Sequence, residues 1–238
     1  GHFEESPLST IVYILSLEGA DSILTFDHLE RAYAYGLRAL GPAHYSVGRY
    51  SPGTGAEGPL TPDGRELVKK MAELGIILDT THLTDDAFWE ALELYDGPAV
   101  WASHNNCRAL VPHQRQFSDE QIEALIERGA VLGAVFDAWM MVPNWERFKT
   151  LPTDVGLTIA RIVDHIDHIC QLAGNADHVG IGSDLDGGYG IEQTPTDLNS
   201  IADLQSLPNQ LAARGYNTSD VNKIMHGNWL RLLERAWA

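Results

Sequence analysis

Residues 75–104 open with Gly75-Ile-Ile-Leu-Asp-Thr-Thr-His82 and close with Pro98-Ala-Val-Trp-Ala-Ser-His104. Each end is an apolar run of strand length that stops on a histidine. Between them, Thr84 followed by Asp85 and Asp86 supplies an N-cap and an acidic first turn. Phe88, Ala91, Leu92 and Tyr95 then recur at helical spacing. Strand, crossover helix, strand is a βαβ unit, so the two strands are expected to lie parallel with both histidines at one edge. Two imidazoles at the C-terminal edge of a parallel sheet stand where such folds hold catalytic metals.

The same pattern extends outward from this stretch. On the N-terminal side, residues 11–17 read as a buried strand delivering Glu18, followed by a helix through Leu29, Ala32 and Tyr33 that Gly36 ends. A weaker strand over 37–43 delivers His44, and residues 46–59, dense in Gly, Pro and Ser, form a long loop over the sheet edge. Thr61-Pro62 is an N-cap with proline at the first helical position, and Leu67, Val68, Met71 and Leu74 mark the buried face up to Gly75. On the C-terminal side, Ser118-Asp-Glu-Gln121 is a capping box for a helix ending at Gly129. A strand over 131–136 delivers Asp137, and 138–156 is an aromatic-rich loop. A helix over 157–172, a strand over 178–183 delivering Asp184, and two closing helices over 198–214 and 219–237 complete the chain.

Six strands, each followed by a helix and each ending on a polar residue, mean a parallel α/β fold. Polar residues at every strand's C-terminal end suit a β/α barrel better than an open sheet. A closed barrel takes eight units and about 250 residues. The expectation is therefore a (β/α)8 TIM barrel, residues 1–238 forming one catalytic domain, with the first one or two βα units absent from this chain.

Composition narrows the partners. The 238 residues include 16 basic and 33 acidic side chains, a net charge of −17, with 44% apolar content. That balance argues against nucleic acids and anionic membranes and suits a protein that holds cations. Cys107 and Cys170 are too few for a disulfide framework, which favours a reducing compartment and hence a cytoplasmic location. No apolar run reaches membrane-spanning length, and the start lacks the basic and apolar regions of a signal peptide.

Each polar residue also has an ordinary structural reading. His28, His113, His165, His168, His178 and His226 read as surface or hydrogen-bonded core histidines. His82 and His104 differ because their strand ends are paired. Glu18 alone could merely cap a helix, and Asp137 reads as an N-cap or turn residue. Asp184 lies in Gly-Ser-Asp-Leu-Asp-Gly, where Asp186 fits a plain turn better than Asp184 does. Arg115 could simply pair with Asp119 or Glu120 at the surface.

Several separated motifs, taken together and in order, resemble the membrane (renal) dipeptidase family of metal-dependent hydrolase barrels. They are Leu17-Glu18-Gly19-Ala20, Ala43-His44, Leu78-Asp-Thr-Thr-His82, Ala102-Ser-His104-Asn105, Arg115, Gly182-Ser-Asp184-Leu-Asp-Gly187 and Gly227-Asn228-Trp229-Leu230-Arg231. The resemblance implies a zinc dipeptidase. Glu18 would bridge two zinc ions, with His82 and His104 as ligands of the second. His44 would face the substrate carbonyl, Arg115 would hold the substrate's C-terminal carboxylate, and Asp184 would handle the proton and the amino end. A small peptide is the implied substrate, and a homodimer is allowed for.

The chain departs from the family pattern at three places. The His-x-Asp that holds the first zinc has no counterpart; His2-Phe3-Glu4 is nearest, but it precedes the Glu18 strand directly. One ion, rather than two, is therefore expected from this chain's own ligands. Gln116 follows Arg115 where Asn is usual, and the loop bearing Trp139, Met140, Met141, Trp145 and Phe148 is unusually aromatic. Two alternatives follow: amidohydrolase activity on N-acyl amino acids or cyclic amides, or a catalytically inactive binding homologue.

Overall fold

The helix caps expected from sequence form, and they set where each βα unit turns. In the computed structural model, which describes residues 12–238, the Thr61 Oγ1 accepts from the Gly64 N–H at 3.0 Å and the Thr84 Oγ1 from the Ala87 N–H at 3.2 Å. Ser118 and Gln121 bond reciprocally as a capping box. Each cap satisfies an N–H that the first helical turn leaves open.

The elements run in strict alternation: β1 (Leu15–Glu18), α1 (Phe26–Ala34), β2 (Leu37–Gly41), α2 (Pro62–Leu74), β3 (Ile77–Asp79), α3 (Asp85–Leu94) and β4 (Val100–Trp101). Then come α4 (Asp119–Glu127), β5 (Leu132–Ala134), α5 (Ala138–Met141), α6 (Ile162–Ala173) and β6 (Val179–Ile181). Helices α7 (Leu207–Arg214), α8 (Thr218–Asn222) and α9 (Asn228–Trp237) close the chain. Strands β1 to β4 pair in parallel in sequence order, and β5 pairs in parallel with β6. A parallel bridge from Ala102 to Leu132 links the two groups. The result is a six-stranded arc in sequence order, the arrangement of consecutive units in a β/α barrel. Among the described residues β1 and β6 do not pair with each other.

Several expectations are corrected in detail. The strands are shorter than the apolar runs: β1 begins at Leu15 rather than residue 11, which lies outside the described residues together with His2-Phe3-Glu4. The 138–156 segment is not all loop, because α5 occupies its start. The 157–172 helix is a short 3-10 turn, Ile159–Arg161, followed by α6. The 198–214 segment likewise begins as a 3-10 helix, Ile201–Ser206. The last expected helix is α8 and α9 joined by a five-residue π turn, Lys223–Gly227. That turn presents Asn228 and Trp229 to β6. Asn228 Nδ2 donates to the Val179 carbonyl at 2.8 Å and Trp229 Nε1 to the Ile181 carbonyl at 3.1 Å. These carbonyls are two residues apart, hence on the same side of the strand, and side chains satisfy both.

Two glycines decide how closely β4, β5 and β6 approach. A Cβ on Gly133 would lie 2.0 Å from the Ser103 carbonyl oxygen, and one on Gly182 would lie 1.9 Å from the same atom. Only hydrogen fits at either position, directly beneath the loop that carries His104. Gly182→Ala should therefore destabilise the fold by about 1–3 kcal/mol in denaturant titration, as overpacking does. A loss below about 0.5 kcal/mol would show that the strands can part without cost.

Candidate metal and substrate site

The strand-end residues share one offset. His44, His82, His104, Asp137 and Asp184 each lie three residues beyond the last residue of β2, β3, β4, β5 and β6, and Glu18 is the last residue of β1. In parallel neighbouring strands, that equal offset brings the five to one edge of the arc, and Glu18 ends its strand at the same edge.

Three of them converge. Glu18 Oε1 lies 3.0 Å from His82 Nε2 and 3.1 Å from His104 Nε2, and the two imidazole nitrogens are 3.4 Å apart. Ligand atoms around a tetrahedral ion with bonds of ~2.0–2.1 Å sit about 3.3–3.4 Å from one another, so this trio has nearly the spacing of one ion's ligands. Thr54 Oγ1 is 2.8 Å from His82 Nδ1, and Ser103 Oγ is 2.9 Å from His104 Nδ1. With each Nδ1–H donating to its hydroxyl, both Nε2 lone pairs face Glu18. The protonation states suit a cation as well. Burial raises the Glu18 pKa, but Nε2–H bonds and charge from His104 and His82 outweigh it and keep the carboxyl ionised. A cation would take the place of those Nε2 protons when Nδ1 carries the proton. Burial, reinforced by the Arg115 charge, lowers His82 to about 3, so its imidazole is neutral.

The backbone that holds these side chains is strained and tied. His82 and Asp184 have φ of 70° and 56°, in the left-handed region that non-glycine residues rarely adopt. Asp79 Oδ1 accepts from the Thr81 N–H at 3.0 Å and the Ser103 N–H at 3.1 Å, linking the loops after β3 and β4 through one carboxylate. The loop over 46–59 is an ordered part of the site: it supplies Thr54 and buries Tyr50 completely.

His44 stands beside the trio, its Nε2 3.8 Å from Glu18 Oε2 and its ring 4.7 Å from the His82 ring. Arg115 is not on the surface. Only 3% of it is exposed; its guanidinium donates to the His104 carbonyl at 2.8 Å and to the Asn105 side-chain oxygen. Asp119, the expected surface partner, pairs instead with His168. Burial raises the Asp184 pKa, against the charges of His104 and Arg115.

Glu18, His44, His82, His104, Arg115 and Asp184 line one cavity of about 380 Å³. A larger groove of about 940 Å³ beside β1 is lined mainly by apolar and aromatic side chains such as Tyr13, Tyr35 and Trp237, with no comparable cluster. Three further residues of the 380 Å³ cavity were given no site role in the sequence reading. Tyr45 and Arg147 come from loops with no distinguishing pattern. Asp137 occupies the N-cap position of α5 but makes no cap bond. Its carboxylate accepts instead from Trp139 Nε1 at 2.7 Å and Gln193 Nε2 at 2.8 Å, and burial pushes its pKa up to about 6.

A parallel β/α arc with a carboxylate and two imidazoles gathered at its C-terminal edge is the layout of the metal-dependent hydrolase barrels. Residues 5–237 match the model of the membrane dipeptidase family, peptidase family M19, and the chain belongs to that family. It is 31% identical to an uncharacterised protein of the pqqA 5' region of Klebsiella pneumoniae, over 98% of this chain and 84% of that one. It is also 31% identical to the dipeptidase tcpJ of Claviceps purpurea, over 83% of this chain and 44% of that one. A metallo peptidase from Rhodobacter sphaeroides, solved with a phosphinate mimic of the dipeptide L-Ala-D-Ala, superposes with a TM-score of 0.78 at 29% identity, covering 94% of this chain and 63% of that one. The metallo peptidase described as dipeptidase AC gives a TM-score of 0.82 at 29% identity, with 94% and 65% covered. The chain thus spans less than two thirds of either solved relative. Among the described residues no helix is long and apolar enough to cross a membrane.

The hydroxyl behind His82 is open to a direct test. Thr54→Val keeps the shape and removes the partner of Nδ1, so metal affinity should fall by roughly 10- to 100-fold in competition with a chelator. Unchanged affinity would mean the hydroxyl does not set the imidazole's tautomer.

Proposed function

We propose that this protein is a metal-dependent dipeptidase, with zinc as the metal. One observation carries the reading: the Glu18, His82 and His104 donor atoms converge at ligand spacing in a cavity that also holds a buried Arg115 and Asp184. Zinc suits two imidazoles and a carboxylate with an open position. Bound there, it would supply Lewis acidity and a water of lowered pKa.

The chain's own groups account for the rest. Arg115 binds the substrate's C-terminal carboxylate, for which a planar guanidinium fork is well shaped. Its contacts to two neutral oxygens orient the guanidinium without neutralising it. His44, half-exposed beside Glu18, donates to the carbonyl oxygen of the scissile amide as negative charge develops there. Asp184 meets the free amino end, accepts the proton of the attacking water and returns it to the leaving amine. Its raised pKa brings it closer to that exchange than an exposed aspartate would be. Recognition of both charged ends favours a free dipeptide over N-acyl amino acids or cyclic amides.

Two experiments test this. Elemental analysis of His82→Ala and His104→Ala should show both variants losing the metal that the parent retains; full metal content in both would make the histidines structural. Arg115→Ala should lower kcat/KM by about ten- to 150-fold on dipeptides with a free carboxylate, the loss of a charge-assisted bond of roughly 1.5–3 kcal/mol. The same dipeptides as C-terminal amides should be hardly affected. Equal losses on acids and amides would remove Arg115 from carboxylate recognition.

A further inference from the structure

The charges lining the cavity do not balance once a plain dipeptide is accounted for. Four carboxylates line it, those of Glu18, Asp137, Asp184 and Asp186, against the guanidinium groups of Arg115 and Arg147. On the dipeptidase reading, on which this inference rests, Glu18 belongs to the metal, Arg115 to the substrate's carboxylate and Asp184 to its free amine. Asp186 is exposed to water, which screens it. Asp137 remains, 95% buried by its 5% exposure, and among the described residues no cation pairs with it.

The surroundings hold Asp137 in place without neutralising it. Each oxygen accepts one bond from a neutral donor, Trp139 Nε1 on Oδ2 and Gln193 Nε2 on Oδ1. Arg147 does not reach it directly: its Nε donates to Gln193 Oε1 at 3.2 Å, and the guanidinium carbon lies 5.6 Å over the Phe148 ring. A buried carboxylate that is fixed in direction but left without a cation is costly unless a ligand brings one. Two aromatic side chains, Tyr45 and Trp139, line the same cavity. Flat apolar faces suit the methylene stem of a long cationic side chain and attract its charged head.

We propose that Asp137 is a specificity-determining residue, selecting dipeptides that carry a second positive charge on a lysyl or arginyl side chain. The cationic head pairs with the Asp137 carboxylate while the stem lies along the aromatic wall. A short neutral dipeptide leaves that carboxylate buried and unpaired, so it binds less well.

The test compares lysine with norleucine, which keeps the stem and lacks the amine. On the metal-loaded protein, Lys-Ala or Ala-Lys should exceed its norleucyl counterpart in kcat/KM by roughly tenfold or more, the range of a charge-assisted bond. In Asp137→Asn that ratio should fall towards one, whatever happens to the absolute rates. Equal rates on lysyl and norleucyl peptides in the parent, or a ratio that survives Asp137→Asn, would overturn the proposal. A preference for glutamyl peptides would also overturn it, by assigning selection to Arg147. If no dipeptide is hydrolysed, the dipeptidase reading fails, and calorimetric binding of the same unhydrolysed peptides tests Asp137 separately. Tighter lysyl binding lost in Asp137→Asn supports it; equal or absent binding does not. If Asp137→Asn fails to fold, the parent's lysyl-to-norleucyl ratio decides the matter alone.

Discussion

Glu18 Oε1 and the Nε2 atoms of His82 and His104 crowd within 3.4 Å of one another. Three lone-pair donors at that spacing repel unless positive charge lies among them, as a proton or a cation. A proton is disfavoured on His82, which burial keeps neutral. The rest of the site depends on keeping this unfavourable grouping together. Asp79 ties the β3 and β4 loops, Thr54 and Ser103 brace the outer ring nitrogens, and left-handed backbone at His82 turns its imidazole inward. None of these contacts would repay its cost in a protein with nothing to bind there.

Arg115 poses the same question, for a binding homologue as much as for an enzyme. A buried guanidinium normally carries a carboxylate partner. Here the acids whose charge reaches Arg115, namely Asp184, Glu18 and Asp79, form no ion pair with it among the described residues. Among the described residues its guanidinium hydrogen-bonds only to a backbone carbonyl and an amide oxygen. An anion reaching it from the cavity gains a charge-assisted bond in a poorly solvated place, which is what reading a substrate carboxylate requires. A chain of net charge −17 that nonetheless buries an unpaired cation is equipped to receive an anion at that point.

The sequence showed what is local and hid what is not. The caps at Thr61, Thr84 and Ser118 are signals within one turn, and all three form. Strand lengths came out too long because an apolar run reports burial, not ladder pairing. Val135 and Phe136 are fully buried yet lie beyond β5. The short α5 and the π turn before α9 have too few residues for any period to register. Glu18, His44, His82, His104 and Asp184 stood out because each ends or follows a strand, and the structure brings them to one cavity. Arg115 was visible only through the family resemblance, since its position beside a capping box fits a surface ion pair equally well. Asp137 reads in the sequence as an N-cap or turn residue and does take the N-cap position of α5, but without a side-chain cap bond. Only its bonds to Trp139 and Gln193, the latter 56 residues away, show that it is turned elsewhere.

The glycines beneath the site connect fold and chemistry. Gly133 and Gly182 let three strands close on the Ser103 carbonyl, and Ser103 neighbours His104 while Gly182 lies two residues before Asp184. A side chain at either glycine would push the Asp184 strand away from the His104 strand. The separation between His104 and Asp184 is therefore set by backbone contact in a close-packed interior. The edge that carries Glu18, His82 and His104 is thus held by backbone, while the aromatic segment after β5 is held by side chains.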